Sequence, residues 1–207
     1  IAASEYPNGL PEPCSHDPTQ WLFHGHPANA SVPSALQVGL ARLLGYRWPA
    51  EADTSMHLAP EARELISKSA GLDAVCLPDA DGIICLTALK GESPAAERLN
   101  AVLANSFVSE WSAAKLAGLL SDVGYAGRSL DDWLRDGFFA QHTELFQQRP
   151  FIWHIWDGRR DGFHALINYH RLAAPNGESV LFKGRELSDD ILRVVSVYLG
   201  TLRARHR

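Results

Sequence analysis

The sequence has few of the features that mark secreted, membrane or metal-ribbon proteins. It contains three cysteines in 207 residues, too few for a disulfide scaffold, and no C-x-x-C pair that would predict a zinc knuckle. Its apolar runs are far shorter than the roughly 20 residues that a membrane-spanning helix needs. No charged segment followed by an apolar one opens the chain. These absences predict a reduced, cytoplasmic compartment and no membrane partner.

Sequence motifs of the common enzyme classes are missing as well. There is no G-x-S-x-G loop for a nucleophilic serine, and neither G-x-x-x-x-G-K-[ST] nor G-x-G-x-x-G for a nucleotide. Asp131 and Asp132 are adjacent carboxylates, but they lie in the first turn of a predicted helix, where the helix dipole explains them. The sequence therefore predicts no self-contained active site. It begins at Ile1 rather than Met, which favours a fragment of a longer protein.

The composition allows a sizeable core, and the charge is unevenly distributed. Hydrophobic residues make up 46% of the chain and charged residues 21%, with a net charge of -5. Residues 1–148 carry 9 Lys+Arg against 18 Asp+Glu, whereas residues 149–207 carry 10 against 6. Because phosphate contacts depend on clustered Arg and Lys, a polyanion would meet the last part of the chain. Solvated helix ends give the same pattern and stay as the alternative.

Turn signals and periodicity divide the first 148 residues into an irregular lead-in, 1–33, and a mainly helical region, 34–148. Helices are predicted over 34–44, 60–69, 94–107 and 109–123 and from Ser129, which forms a capping-box pattern with Asp132. Two β-prone runs around an Asp-Gly turn predict one β-hairpin over about 72–88, with strands near 72–77 and 83–88. Cys76 and Cys85 flank this turn, and free thiols are favoured over a disulfide.

Residues 149–207 are predicted to form a second β-hairpin followed by a C-terminal helix. The stretch "RPFIWHIWDGRRDGFHALINYHR" gives strands over about 151–156 and 163–169 around the turn "DGRRDG". A register centred on that turn puts His154 and His164 on opposite faces, and both faces are largely apolar, which predicts a hairpin covered on both sides. The predicted fold class is therefore α+β, with β-hairpins packed among several helices in one compact fragment.

Histidines and arginines are the candidate functional residues. The sets His24 with His26, and His154 with His164 and His170, suggest metal ligands, but no H-E-x-x-H spacing supports them and structural histidines are favoured.

Arg159 and Arg160 at the turn, near Trp153 and Trp156, combine phosphate-binding charge with stacking surfaces. The alternative is a solvated turn on a hairpin whose tryptophans pack in the core.

The hairpin stretch 149–171 resembles the C-terminal part of large adenine-N6 DNA methyltransferases of phage-defence and restriction-modification systems, including PglX-type enzymes of BREX systems. The resemblance includes the segment before it, "LDDWLRDGFFAQHTELFQQ", and the segment after it, "ILRVVSVYLG". The segments "EYPNGLPEPCSHDPTQWLFHGHP" and "LQVGLARLLGYRWPAE" resemble the part that precedes it. The family's N-P-P-[YF] loop and its glycine-containing S-adenosylmethionine loop are absent here, although extruding and methylating an adenine requires that pocket. The resemblance thus implies a segment without catalytic residues or cofactor, whose parent enzyme uses S-adenosylmethionine.

The resemblance implies a target-recognition or connector role with double-stranded DNA and the remaining methyltransferase domains as partners. Arg159, Arg160, Arg171 and Lys183 are the expected phosphate contacts, and the two tryptophans of the first strand are expected mainly to pack the hairpin. One alternative is a protein-interaction module of a defence complex that makes no DNA contact. Another is an independent metal-dependent hydrolase, which no ligand spacing supports.

Overall fold

A computed structural model of the chain describes residues 25–30, 35–55, 60–76, 82–89 and 91–168. These residues form helices and a three-stranded antiparallel sheet, which confirms the predicted α+β class. In chain order the elements are a 3₁₀ turn Pro27–Asn29, α1 Ala35–Leu43, α2 Pro49–Ala52, α3 Pro60–Val75, β1 Ile83–Cys85, α4 Ala95–Phe107, a 3₁₀ turn Val108–Glu110, α5 Ala113–Asp122, α6 Leu130–Asp132, a π-helical turn Trp133–Gly137, α7 Phe138–Leu145, β2 Ile152–Trp156 and β3 His164–Asn168.

Helix α1 lies at the centre of the core, because every one of its residues is buried. Gly39 lets it approach α4 closely: a Cβ at this position would lie 3.2 Å from the side chains of Leu99 and Leu103. The helix ends at Gly45, as the sequence predicts. The φ of that residue, 78°, lies in the left-handed region that glycine adopts just beyond a helix end.

Helix α3 continues to Val75, beyond its predicted end at Ser69. The strand predicted near 72–77, and with it the first hairpin, is therefore wrong. Leu72 is buried against the core, and Asp73 forms an ion pair with a buried arginine of α1. These tertiary contacts outweigh the local β propensity of the segment.

Strand β3 is the central strand of the sheet, with β1 on one side and β2 on the other. The predicted second hairpin is confirmed, but its register differs by one residue. Trp156 pairs with His164, and the N–H of Asp157 still donates to the carbonyl of Phe163 at 3.2 Å. The turn is thus 158–162 instead of the six-residue turn assumed from the sequence. Every side chain of one strand consequently changes face relative to the other.

The prediction that both faces of the hairpin are covered holds for β3 and is wrong for β2. All five residues of β3 are buried, whereas the exposed fractions of Trp153 and Trp156 are 47% and 53%. Strand β2 is one of the two edge strands, and its first residue, Ile152, is buried, whereas Trp153, Ile155 and Trp156 are exposed. The alternative in which these tryptophans pack in the core is therefore wrong, whereas Trp156 does pack on His164 within the hairpin.

A buried polar chain attaches β2 to the helices. The Ile152 N–H donates to Nε2 of His142 at 3.2 Å, so the proton of this imidazole lies on Nδ1. Nδ1 faces the side-chain oxygen of Gln37 at 3.0 Å, and the Gln37 amide nitrogen donates to the Phe138 carbonyl at 3.4 Å. Helix α1, helix α7 and strand β2 are joined in this way, which fixes where the hairpin leaves the core.

Several predictions fall outside the described residues: the lead-in up to residue 24, the C-terminal helix, Cys14, and two expected DNA contacts, Arg171 and Lys183. Cys76 and Cys85 are described, and both are free thiols, as expected. Within the described part of the chain, no helix is long and apolar enough to cross a membrane.

Candidate functional site at the hairpin tip

The hairpin tip, residues 157–162, is held by a carboxylate and two glycines. Oδ1 of Asp157 accepts the N–H of Arg159 at 3.0 Å. Hydrogen bonds from the backbone N–H groups of Arg159 and Phe163 lower the pKa of the Asp157 carboxyl. Gly158 has a φ of 86°, and a Cβ at Gly162 would collide with the Asp157 carboxylate. The backbone that carries the two arginines is therefore preorganised.

His154 and His164, expected on opposite faces, lie side by side beneath the tip. Nε2 of His164 faces the carbonyl oxygens of Arg159 and Arg160 at 2.9 and 3.1 Å, so this nitrogen is a donor. Nδ1 of His164 lies 2.9 Å from Nε2 of His154, so one hydrogen bond joins the two rings. Burial, with a smaller contribution from His164, lowers the pKa of His154 to about 4 despite the opposing carboxylate of Asp136. The pair thus fixes the tip through its carbonyl groups.

Trp156 extends this pair into a stack of three rings. Its ring lies 5.5 Å from that of His164, and the two histidine rings lie 5.1 Å apart, each pair at an interplanar angle of 27°. The indole is half exposed, so one part of a flat aromatic surface remains open beside the tip. Such a surface suits a base, an aromatic side chain or an apolar partner.

Arg160 reaches from the tip to an Arg–Asp cluster on the preceding helical segment. Its Nη2 lies 3.5 Å from Oδ1 of Asp132 and 3.5 Å from Oδ2 of Asp136, and 68% of its side chain is exposed. Arg128 contacts the same two carboxylates at 3.6 and 3.5 Å, and Arg135 contacts Asp132 at 3.6 Å. The cluster formed by these five residues holds three cations and two anions. Arg160 is therefore partly neutralised in place.

The cluster owes its geometry to a capped helix start and a π-helical turn. Ser129 and Asp132 form the predicted capping box, and their hydrogen bonds, with smaller contributions from Arg128, lower the pKa of Asp132 to about 2. The turn then widens into a π-helix up to Gly137, where a Cβ would lie 2.5 Å from the Tyr125 ring. Widened turns of this kind are frequent at functional sites.

The structure brings Arg159 and Arg160 together with Trp156 at the hairpin tip, but it gives the two arginines different surroundings. Arg159 is exposed, and its guanidinium forms no ion pair within the described residues. Arg160 is engaged by the Arg–Asp cluster. The cluster itself was not anticipated, although the spacing of Asp132 and Asp136 on one helix face was a readable signal.

Among the residues that the structure describes, no group of three or more His, Cys, Asp or Glu side chains is arranged to hold a metal ion. His154 and His164 bond to each other, and His164 also bonds to the carbonyl oxygens of Arg159 and Arg160.

Comparisons with protein-family models, with curated proteins and with solved structures found no match to this chain. The methyltransferase resemblance therefore rests on the sequence motifs, and it stays a prediction.

Proposed function

We propose that this chain is a non-catalytic C-terminal segment of an adenine-specific DNA methyltransferase of phage defence or restriction-modification, and that its hairpin tip contacts double-stranded DNA. The motif resemblance supports the family. In this proposal the remaining domains of the parent enzyme bind S-adenosylmethionine and transfer the methyl group in the cytoplasm.

The observation that carries the DNA contact is the presentation of Arg159. Its backbone is fixed by Asp157 and by the His154–His164 pair, while its guanidinium is exposed and forms no direct ion pair in the described part of the chain. The charge of Arg159 interacts with the Asp157 carboxylate without forming such a pair. Fixing the backbone in advance reduces the conformational entropy lost when a side chain binds a phosphate. Arg159 is therefore the principal contact in this proposal.

Arg160 is a secondary contact in this proposal. Its ion pairs with Asp132 and Asp136 are long and exposed, and such pairs contribute about 0 to 1 kcal/mol. A phosphate oxygen could replace one of them at little cost. Arg171 and Lys183, which lie outside the described residues, are retained as proposed phosphate contacts because they belong to the basic last third of the chain.

Arg159→Gln tests this assignment, with Arg63→Gln as the matched control. Arg63 is exposed on α3, away from the hairpin in sequence, and its substitution changes the net charge equally. Fluorescence anisotropy of a labelled mixed-sequence duplex at low salt should show about a three- to tenfold weaker Kd for Arg159→Gln. Arg63→Gln should bind like the parent chain. Equal effects of the two substitutions would show that only net charge matters.

A protein-docking role is the second candidate, and the edge of β2 favours it. Because the Ile152 N–H points away from β3, strand alternation turns the backbone N–H groups of His154 and Trp156 to the outer edge as well. Trp153 and Ile155 are exposed beside that edge. An open edge with apolar side chains can accept a strand from a partner.

Ile155→Lys separates the two candidates, since a charged residue on an edge strand blocks strand addition without removing an arginine. DNA contact at the tip predicts that Ile155→Lys leaves the duplex affinity within about twofold of the parent chain. Docking without DNA contact predicts that no duplex binding is measured at low salt for the parent chain or either variant.

A further inference from the structure

A second region of the described chain has the character of a small-molecule site and takes no part in the proposed DNA contact. It is a groove between α3, α4 and the 3₁₀ turn Pro27–Asn29, with a volume of about 440 Å³. This volume is within the range of about 300 to 1,000 Å³ that is usual for ligand pockets. We refer to it as the α3–α4 groove.

The groove presents apolar side chains to solvent. Only a few large hydrophobic residues of the described chain are exposed, and they fall into two groups, one on β2 and one here. Val75 and Val108, exposed by 66% and 74%, are the group that lines the α3–α4 groove. Leu72 is buried beside them. Apolar surface gathered in one concave region indicates contact with an apolar group.

Val108 is also held in a strained backbone conformation. Its φ is 46° and its ψ is -113°, at the point where α4 ends. A β-branched residue rarely adopts a positive φ, because its Cβ crowds the neighbouring carbonyl group. The N–H of Val108 donates to the Ala104 carbonyl and the next residues form a 3₁₀ turn. Burial of the side chain does not compensate for this strain, and strained residues of this kind cluster at ligand sites.

The polar lining of the groove is cationic or neutral. Lys68 and His26 are the charged or titratable residues among those that line the groove. No described lining residue is a carboxylate, although the whole chain has a net charge of -5. Among the described residues, Lys68 forms an exposed pair with Glu64 at 3.1 Å. Burial, together with the positive charges of Arg42 and Lys68, lowers the pKa of His26, which favours its neutral form. The described lining therefore carries one cation, Lys68, and a neutral imidazole that can donate or accept a hydrogen bond.

We propose that the α3–α4 groove binds a small amphipathic organic anion. Its carboxylate or sulfonate group would lie against Lys68 and His26, and its aromatic or aliphatic body would lie against Val75 and Val108. Asn105 and Ser106, which also line the groove, would contribute neutral polar contacts. The inference does not depend on the proposed DNA contact, because it shares no residue with the hairpin tip.

Gly71 provides a direct test. It lines the groove on α3, and a Cβ at this position meets no atom within 4 Å. Gly71→Phe would therefore place a ring in the groove without displacing the core, while Gly71→Ala adds a methyl group alone. Both substitutions remove a glycine from a helix, so both should fold, and far-UV circular dichroism and thermal melting verify this.

The probe is 8-anilinonaphthalene-1-sulfonate, which combines a sulfonate with an aromatic body, titrated into the 207-residue chain at pH 7 and followed by fluorescence. We expect saturable one-to-one binding, retained in Gly71→Ala and weakened at least tenfold in Gly71→Phe. Lys68→Gln should weaken this probe several-fold while leaving N-phenyl-1-naphthylamine, the uncharged analogue, unaffected.

Three results would overturn the proposal. The first is no saturable binding to the parent chain. The second is equal affinity in Gly71→Phe and Gly71→Ala. The third is binding that Trp153→Ser abolishes and Gly71→Phe leaves unchanged, because the probe would then lie on the hairpin.

Discussion

His142 shows how a single buried side chain determines where the hairpin sits. Its imidazole is completely buried and has both nitrogens occupied, one by the Ile152 N–H and one by Gln37. Protonation would place a second N–H against the Ile152 N–H and would remove one hydrogen bond from the core. Burial lowers the pKa of His142 to about 3. The neutral form is therefore required for this packing.

The stability of the chain should depend on pH through His142. The pKa of His142 in the folded chain, about 3, is below the ordinary value of 6.5. Its contribution to the free energy of unfolding is therefore complete above pH 6.5 and is lost as the pH falls towards 3. The linkage slope is about 1.4 kcal/mol per pH unit for one such group. Urea unfolding at pH 7 and pH 5 should show a loss of about 2 kcal/mol from this residue.

His142→Gln is the control for that pH dependence. It should be less stable than the parent chain at pH 7, and the difference between the two should shrink as the pH falls from 6.5 to 5. His154, whose pKa is about 4, acts in the same direction and remains in both proteins. A pH profile that the substitution leaves unchanged in slope would assign the effect to other groups.

Arg42 is a second residue on which much of the core depends. It is buried on α1, where Glu51 contacts it at 2.8 and 3.0 Å and Asp73 at 2.7 Å. Burial alone would lower the pKa of Arg42, but the two carboxylates outweigh burial and raise it. The backbone of Gly25 packs on the same network: a Cβ there would lie 2.8 Å from Glu51 Oε1. This contact accounts for the glycine of the "HGH" motif.

Replacing Arg42 by Met should lower the free energy of unfolding by about 3 to 5 kcal/mol, because Glu51 would be left as a buried carboxylate without a cation and Asp73 would keep only its pair with Arg47 among the described residues. Arg63→Met, on an exposed part of α3, should change it by less than about 0.5 kcal/mol. Urea denaturation at pH 7 measures both. The triple variant Arg42→Met, Glu51→Gln, Asp73→Asn should recover part of the loss, and failure to recover any would contradict the unpaired-charge explanation.

Among the elements, the π-helical turn has a steric requirement at Gly137. Gly137 lies in contact with the Tyr125 ring, and the φ of -119° at this residue is open to any amino acid. The requirement for glycine is therefore steric. Its effect is to bring Asp132 and Asp136 towards the hairpin tip, where Arg160 contacts both.

Gly137→Ala should accordingly destabilise the chain by about 1 to 3 kcal/mol through overpacking. Gly118→Ala is the matched control, since Gly118 lies inside α5 with nothing within 4 Å of its Cβ position. That substitution should stabilise the chain by about 0.5 to 1 kcal/mol. Urea unfolding should show opposite changes in the free energy of unfolding for the two variants, a decrease for Gly137→Ala and an increase for Gly118→Ala. An increase for Gly137→Ala would refute the steric explanation.

The sequence predicted those elements whose signals are local and missed those that depend on distant partners. The capping box at Ser129 and the helix stop at Gly45 were correct because each depends on a few adjacent residues. Residues 72–77 were predicted to form a strand from their local β propensity. That propensity does not include the contacts that Leu72 makes with the core from within a helix. The hairpin register was wrong by one because the turn length cannot be read from "DGRRDG" alone.

The same division applies to the candidate site. The sequence identified Arg159 and Arg160 at a turn, yet the wrong register separated His154 from His164, which in fact bond beneath that turn. The tryptophans were assigned to the core because their apolar character suggested burial. Their exposure depends on what packs against β2 in the folded chain, because β1 is also an edge strand and is completely buried.

For the molecule as a whole, the described residues separate two kinds of surface. The hairpin tip offers a fixed, exposed arginine beside an open aromatic ring, and the α3–α4 groove offers a concave apolar surface with one lysine, Lys68, in its described lining. The proposals assign DNA to the first and a small organic anion to the second. Their failures are distinguishable, because no residue belongs to both regions.

The salt dependence of DNA binding tests the central claim most directly. We expect log Kobs for a mixed-sequence duplex to fall linearly with the logarithm of the salt concentration. Arg159→Gln should reduce the magnitude of this slope by about 0.9, as expected for one lost phosphate contact. Arg63→Gln should leave the slope unchanged. An identical slope for the parent chain and Arg159→Gln, or no duplex binding by the parent chain at low salt, would contradict it.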